Sequence, residues 1–411
     1  MSEKVVHEVS IDLSDYFQQT KDYILAKKIC DRLSIAGFKA YFAGGCVRDA
    51  VLKRRFNDID VATNALPEEI EKLFLGKIIP VGKKFGILII HDQGEQIEVA
   101  TFRKDGKYED GRRPETIEYA DEREDALRRD FTVNALFYDV KNKKILDYVD
   151  GLKDIQQKKM KTVGDPLQRF SEDYLRVLRL FRFADSLGFT IDSETLKSAL
   201  ELKENLKGVS LERRREELLK SFKDTSNALK LVKLYSENNL WKFYLGVEHL
   251  DTEKYLFNEK PTSEEEVLSC LLWNVSHYKE LLKGLRISHQ VFKSVVAVLQ
   301  FKDDIDKIFS YDEGKLRYLC LNGDFHQFLK LARKTVLEKD LKSKITTYYL
   351  LSESYMKDKP KPLLKGEDLK AFFQGKELGE VLELAFQEQL LNPEISKEIL
   401  LEKVKKKRVE T

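Results

Sequence analysis

Cysteine is scarce in this chain of 411 residues, and the four present, Cys30, Cys46, Cys270 and Cys320, stand far apart. That spacing gives neither a metal-type cluster nor a disulfide framework; it predicts reduced thiols, no zinc and a cytoplasmic location. The six histidines are dispersed as well, so no histidine nucleophile is indicated. No apolar run is long enough to span a bilayer, and the opening MSEKVVHEVS has no apolar h-region, so no membrane association is expected. Charge of one sign is also lacking: 72 Lys and Arg face 70 Asp and Glu, for a formal net charge of +2. That balance excludes a global polybasic field. Any contact with nucleic acid must then use local patches such as residues 53–55, 112–113, 213–215 and 403–408. Taken singly, each patch reads more simply as a solvated helix face or loop.

What is abundant is apolar and charged side chains together, 42% and 35% of the chain, the composition of a helix-rich protein with ample core. The length calls for two or more subdomains. Residues 1–150 read as α+β. A helix is expected over residues 15–36, ending at Gly37, and short strands over 41–43 and 59–62 with a helix at 48–53 between them. Pro67 opens a helix to 74. Strand-like runs at 87–91 and 96–103 flank Gln93-Gly94, a hairpin signal, and 145–149 adds another strand. The expectation is a small mixed sheet carrying helices, not a doubly wound one. Beyond about residue 165 strand signals fade. Helical periodicity covers 172–187, 193–206, 211–222, 225–237, 263–282, 289–309 and 366–374, with a Lys/Pro linker near 357–363.

The densest signal lies in residues 41–63, YFAGGCVRDAVLKRRFNDIDVAT. A strand over 57–62 places Asp58 and Asp60 on one face, about 7 Å apart, because strand side chains alternate. Paired carboxylates there suit divalent ions, which take hard oxygen ligands and keep positions open for phosphate. The Gly44-Gly45 turn running into Arg48 and Asp49 supplies backbone N–H groups at a helix start, where an anion is welcome. A metal pair opposite a glycine turn is the apparatus of nucleotidyl transfer. Asp58 and Asp60 are therefore the expected catalytic metal ligands.

Two further motifs extend the site. In ALRRDFTVNALF, residues 126–137, a helical reading lets Asp130 cap, with Asn134 and Phe137 following one turn apart and Arg128 and Arg129 on the basic edge. In EDYLRVLRLFR, residues 172–182, a helix makes Asp173 and Arg176 neighbours. A carboxylate only accepts hydrogen bonds and a guanidinium only donates them. Such a pair matches the amino donor and ring-nitrogen acceptor of cytosine and adenine and rejects uracil and guanine, without a template. Arg179 and Arg182, at further steps of three, would orient the pair or reach phosphate.

These motifs together resemble the nucleotidyltransferase superfamily that includes DNA polymerase beta. More narrowly, the chain is similar to the class II tRNA nucleotidyltransferases, the CCA-adding enzymes, and their relatives the bacterial poly(A) polymerases. The resemblance implies a polymerase-beta-like head over 1–150, a base-reading neck over 151–225, a helical body over 226–356 and a tRNA-binding helical tail over 357–411. It implies two Mg²⁺ ions, CTP and ATP as substrates and tRNA as partner. Within it Gly44, Gly45 and Arg48 cradle the triphosphate, and an arginine of the 128–134 block reaches triphosphate and ribose. Residues 209–217, VSLERRREE, resemble the segment that braces the neck. Residues 103–114, with Asp105, Gly106, Asp110, Gly111, Arg112 and Arg113, resemble a mobile lever absent from relatives that add only cytidines. Gly82-Lys83-Lys84-Phe85 departs toward poly(A) polymerases, whereas residues 365–384 look like the tail of tRNA-directed members. The expected activity is addition of C, C and A to the tRNA 3′ end. The alternatives are A addition alone, poly(A) synthesis, or an RNA-binding scaffold with an inactive head.

Overall fold

In the computed structural model, which describes residues 7–56, 58–106, 116–250, 254–336 and 338–406, the chain divides into two compact units, Met1–Thr225 and Ser226–Thr411. The first unit is built on strands β1 (His7–Ser10), β2 (Ala40–Ala43), β3 (Asp60–Thr63), β4 (Ile78–Gly82), β5 (Ile87–Asp92), β6 (Glu95–Thr101), β7 (Arg103–Asp105), β8 (Ile117–Tyr119), β9 (Leu136–Asp139) and β10 (Lys144–Asp147). Eight of them form one mixed sheet in the order β1-β10-β9-β2-β3-β6-β5-β4; β7 and β8 make a separate ribbon. Only β3 and β6 run parallel in the large sheet. The sheet is therefore wider than the small one expected. The added width comes from β1, β4 and β9, none of which was among the expected strands.

Local chemistry explains several of these elements. Gln93 and Gly94 join β5 to β6 with φ of 51° and 88°, the pair of positive angles that a two-residue hairpin needs. The helices of this unit are α1 (Ser14–Phe17), α2 (Tyr23–Ile35), α3 (Gly45–Val51), α4 (Pro67–Leu73), α5 (Glu122–Leu127), α6 (Gly151–Gln156), α7 (Pro166–Glu172), α8 (Leu175–Leu187), α9 (Ser193–Leu202) and α10 (Leu211–Asp224). Pro67 opens α4 and Pro166 opens α7, where a missing N–H costs nothing. Phe17 at the end of α1 is fully buried, 4.9 Å from the ring of Phe42 and 5.2 Å from that of Tyr138. It pins the N-terminal segment to the sheet.

Three expected helices are interrupted, each for a visible reason. The stretch 15–36 breaks after Phe17, whose carbonyl accepts from the Thr20 hydroxyl at 2.8 Å, and Ile24 in the resumed helix is exposed rather than packed. The stretch 126–137 is not one helix. α5 stops at Leu127, and residues 130–132 run extended beside 161–163, with the Val163 N–H donating to Asp130 and the Thr132 N–H to Lys161. A short 3₁₀ turn, Thr132–Asn134, then leads into β9, which holds Phe137. Gly151 makes that packing possible, because a Cβ there would sit 2.3 Å from the Thr132 carbonyl oxygen. The stretch 172–187 is two helices with Asp173, extended at φ −150°, between them.

Among its described residues the second unit is helical. It runs from α11 (Ala228–Glu237) and α12 (Trp241–Tyr244) through α13 (Glu264–Leu271), α14 (Tyr278–Gly284), α15 (His289–Asp303), α16 (Ile305–Ile308), α17 (Glu313–Leu319), α18 (Gly323–Thr335) and α19 (Lys339–Lys357) to α20 (Gly366–Leu369), α21 (Gly375–Leu391) and α22 (Lys397–Lys406). The expected helices 263–282 and 289–309 are each split in two, and 366–374 is a single turn at α20. The last three helices close on their own apolar cluster of Leu364, Leu369, Phe373, Ala385, Leu400 and Val404. No helix among the described residues is long and apolar enough to cross a membrane. All four cysteines are buried and unpaired by disulfide, and burial pushes the Cys46, Cys270 and Cys320 thiols up to about 12.

Candidate active site

Gly44 makes the turn that opens the site. Its φ is +77°, and a Cβ there would lie 2.9 Å from Nη1 of Arg129, so the position requires glycine. α3 follows directly, and Arg48 on its inner face is buried. Its guanidinium donates to Asp49 at 3.0 and 2.8 Å and to Oδ1 of Asn134, and it lies 5.3 Å from the ring centre of Phe183. Those bonds leave two of its five N–H groups for a ligand.

β3 begins at Asp60, not at residue 57 as expected. Asp60 faces Ala43, the last residue of β2; beyond it the chain turns at Gly44, and Asp58 has no strand to pair with. Asn57 lies outside the described residues. Asp58 is exposed on the approach to β3. The partner that the sequence reading missed is Glu98. Parallel pairing of Val61 with Val99 sets Asp60 and Glu98 side by side on the same face of β3 and β6. A signal was present: Glu98 is the one acidic side chain in the run 96–103, and alternation puts it opposite the buried Ile97 and Val99.

Both carboxyls are held above their ordinary range. Desolvation in the cleft and the neighbouring charges of Glu98 and Asp58 raise Asp60 to about 6, against an opposing pull from Arg129. Desolvation likewise raises Glu98, partly offset by Arg103. Neither forms an ion pair with any described residue. Two hard oxygen donors whose negative charge the neighbouring arginines only partly offset suit a divalent cation, which would take its remaining ligands from outside the chain, since no group of three or more His, Cys, Asp or Glu is gathered among the described residues.

These groups open onto a cleft of about 510 Å³ lined by Gly44, Gly45, Arg48, Asp60, Glu98, Arg103, Arg128, Arg129, Asp130, Asn134, Asp173, Arg176, Arg179, Phe183 and Arg213, among others. Its wall is arginine-rich, and buried carboxylates behind it keep the guanidiniums in place. Burial works against ionisation of Asp125, but Arg129 and Arg128 outweigh it and hold its carboxyl below the usual range. The contacts run from Arg128 Nε at 2.8 Å and Arg129 Nη2 at 3.0 Å. Asp130 is treated the same way: burial opposes, yet Arg179 above all brings it down to about 2 through bonds of 2.8 and 2.5 Å. Arg179 also lies 5.1 Å from the Phe183 ring centre, so Phe183 steadies guanidiniums of both α3 and α8.

Asp173 and Arg176 both reach the cleft, but not as the mutual pair that an unbroken helix predicts. With α7 ended at Glu172, Asp173 accepts from the Leu175 N–H at 3.1 Å and from Arg213 at 2.8 Å. Arg176 bonds instead to Glu172 at 2.6 Å and to the Arg169 carbonyl at 2.8 Å. Arg182 is a clearer correction. It does not line the cleft; it is buried against α10, bonded to Glu217 at 2.5 Å and Asp224 at 2.6 Å, and covers Phe183 from 4.1 Å. The step of three from Arg179 rotates it off the cleft face. Arg213, expected only as part of a basic segment, is the residue of that segment that enters the site.

Asp105 and Gly106 stand at the stem of the charged loop. Asp105 accepts from Arg103 at 3.1 Å, and the Gly106 N–H donates to the Thr116 carbonyl at 2.9 Å. A Cβ at Gly106 would meet Thr116 within 2.5 Å. Asp110, Gly111, Arg112 and Arg113 lie outside the described residues. In the segment 82–85, Lys83 is paired with Glu71 on α4 at 2.8 Å.

Comparison with known proteins bears on the family and the fold. Residues 40–161 match the family described as Poly A polymerase head domain, and residues 188–245 match the one described as Probable RNA and SrmB- binding site of polymerase A. The CCA-adding enzyme of Bacillus pumilus is 35% identical over 85% of this chain and 88% of its own length. That of Lactococcus lactis subsp. cremoris is 31% identical over 94% and 97%. Among solved structures, the Bacillus stearothermophilus CCA-adding enzyme in complex with CTP superposes with a TM-score of 0.76 at 25% identity, covering 95% of this chain and 98% of that one. The Thermotoga maritima CCA-adding enzyme complexed with tRNA shares the fold, with a TM-score of 0.62 at 19% identity over 98% and 99%. An arginine-lined cleft closed by a glycine turn and paired carboxylates thus stands on a fold and a sequence of one lineage, and this chain belongs to the family of CCA-adding enzymes, which are nucleotidyltransferases.

Proposed function

We propose that the chain adds C, C and A in turn to the 3′ end of tRNA, taking CTP and ATP and needing no template, with two Mg²⁺ ions as cofactor. The observation that carries the reading is the pairing of β3 with β6, which sets Asp60 beside Glu98 at the mouth of an arginine-lined cleft. Asp58, Asp60 and Glu98 would hold the ions. Divalent metal bound there supplies charge that eases deprotonation of the 3′-hydroxyl and stabilises the departing pyrophosphate. The chain's own part is binding and orientation. The Gly44 N–H is spent on the Leu136 carbonyl at 3.0 Å, so the turn offers phosphate the N–H of Gly45 at the start of α3, and the free N–H groups of Arg48 and those of Arg128 and Arg129 suit phosphate oxygens bidentately. Asp130 and Asn134 hold Arg179 and Arg48 in register for the nucleotide.

Base choice falls to Asp173 and Arg176, an acceptor and a donor that both line the cleft. Asp173 is aimed by Arg213 and Arg176 by Glu172. Arg182 takes no direct part and braces α8 on α10. The helical segments 226–356 and 357–411 serve tRNA, through shape and phosphate contacts. The setting is the cytoplasm.

The test supplies purified protein with tRNA lacking zero, one, two or three 3′ nucleotides and each nucleoside triphosphate separately. Stepwise C, C, A is the expected outcome. Extension only of tRNA ending in CC, and only with ATP, would mean A addition alone. Long A tails on unrelated RNA would mean poly(A) synthesis.

A further inference from the structure

Three cations crowd one ring in the cleft wall. The guanidinium carbon of Arg48 lies 5.3 Å from the centre of Phe183, that of Arg179 5.1 Å and that of Arg182 4.1 Å. Arg48 belongs to α3, behind the glycine turn, and Arg179 to α8; both line the nucleotide cleft. Arg182 is buried away from the cleft. Phe183 itself is half-buried and lines the cleft. Its ring is held on two sides. The fully buried Phe131 meets it edge-on, 5.9 Å between centres and 77° between planes. Arg182, which covers it, is clamped in turn by Glu217 at 2.5 Å and Asp224 at 2.6 Å.

Each guanidinium has a carboxylate of its own: Asp49 for Arg48, Asp130 for Arg179, Glu217 and Asp224 for Arg182. Those pairs do not set the gap between Arg48 and Arg179. Two routes across the site do. One is hydrogen-bonded: Arg48 donates to Oδ1 of Asn134, Asn134 Nδ2 donates to Oδ1 of Asp130 at 3.3 Å, and Oδ2 of Asp130 accepts from Arg179. The other is Phe183, which lies against both guanidiniums. Together they close a circuit of five side chains around two like charges. The negative face of an aromatic ring attracts a guanidinium without carrying a charge. A carboxylate in its place would hold the arginines too, but would cancel the positive potential that a phosphate group needs.

We propose, resting on the nucleotidyl-transfer reading above, that Phe183 is a positioning residue: its ring sets the spacing of the Arg48 and Arg179 guanidiniums, and through them the grip on the phosphate groups of the nucleotide. It acts through the two arginines and not by contact with the base. The grip on phosphate is thereby tied to α8, the helix that also carries Arg176, and through Arg182 to the buried Glu217 of α10. Base choice stays with Asp173 and Arg176, neither of which is among the arginines that crowd the ring or the carboxylates that hold them.

The test measures equilibrium binding of CTP, pyrophosphate and cytidine, each with Mg²⁺, to the full chain and to its Phe183→Leu and Phe183→Tyr variants. Leucine keeps most of the volume and has no π face; tyrosine keeps the face. Phe183→Leu should weaken CTP and pyrophosphate alike, by roughly tenfold for two lost cation–π contacts. Cytidine, which carries no phosphate, should bind as it does to the wild type, and Phe183→Tyr should restore CTP and pyrophosphate. In turnover with tRNA, the KM for CTP and that for ATP should rise together while kcat holds, and the preference for CTP over UTP should not change. In an Arg48→Gln background the leucine substitution should cost pyrophosphate no more than about threefold, because one of the two guanidiniums it positions is already gone. Unchanged binding of CTP and pyrophosphate by Phe183→Leu overturns the proposal. So does an equal loss for cytidine, which would put the ring against the base. An undiminished loss in the Arg48→Gln background would make the ring a packing element and overturns it as well. Failure of the nucleotidyl-transfer reading would show separately, as a wild-type chain that binds CTP and extends no tRNA.

Discussion

Asp60 and Glu98 present one electrostatic problem with one solution. Two carboxyls side by side, each raised by desolvation, repel until a cation joins them. Asp60→Ala should lower nucleotide addition by several orders of magnitude while the melting temperature holds or rises, since the substitution removes repulsion. Near-normal turnover of that variant would remove the metal assignment. Glu98→Gln keeps the shape and removes the charge, so saturating it should take a higher Mg²⁺ concentration, read as a shift in the metal dependence of the rate. In the same cleft, Asp173→Ala deletes the acceptor for the amino group of C or A. A good hydrogen-bonded base contact is worth about 1–3 kcal/mol of discrimination, so UTP and GTP should gain on CTP and ATP by roughly ten- to a hundredfold in relative kcat/KM. Arg213→Ala should relax selectivity in the same direction, because Arg213 holds the carboxylate of Asp173. If either variant lowers all four nucleotides equally, the pair binds phosphate or braces the fold and does not read the base.

Elements join at Asp130, which ties the extended segment before the 3₁₀ turn to α8 through Arg179. Its carboxyl is brought down to about 2 from an ordinary 3.8, so the folded state favours the charged form. That contribution is complete above pH about 4 and disappears as pH falls toward 2. A tenfold change in proton affinity between folded and unfolded chain corresponds to about 1.4 kcal/mol. Asp130→Asn should therefore cost about 2 kcal/mol in urea unfolding at pH 7, a gap that stays constant to pH 5 and narrows below 4. A gap that widened in acid would refute the ion-pair account. The β7–β8 ribbon suggests a second test: deletion of residues 107–112 should spare addition of the two C residues and suppress the final A, read on gels with tRNA lacking all three nucleotides. These cases also mark what the sequence could tell. The Gly44-Gly45 turn, the Gln93-Gly94 hairpin and the proline-led α4 rest on local backbone chemistry and were legible. For Glu98 alternation showed only an acid on the polar face of a strand; its place beside Asp60 was not legible, because it comes from a parallel pairing across 38 positions of chain. Asp173 and Arg176 reach the cleft as anticipated, yet their partners differ, because periodicity says nothing of a kink that extended backbone at Asp173 imposes. Arg182 was misplaced by the same helical logic: a step of three keeps a face only roughly, and the buried Glu217 on α10 decided where it turned.

At the scale of the whole chain, the division at Thr225 separates the chemistry from much of the surface assigned to RNA. Every residue lining the proposed nucleotide cleft belongs to the first unit. That unit also owns a closed core, in which Phe102, Phe137, Leu146 and Val163 are buried together, and α10 ends it with Asp224 bonded to Arg182. A fragment comprising residues 1–225 keeps all of these contacts, so it should melt cooperatively by circular dichroism and bind CTP in the presence of Mg²⁺ with an affinity within a few fold of the full chain. It loses the helical segments proposed to meet tRNA by shape and phosphate contacts, so its KM for tRNA should rise by at least tenfold. A fragment that fails to fold would mean that the two units depend on each other for stability. One that folds and extends tRNA as well as the full chain would instead remove RNA binding from residues 226–411.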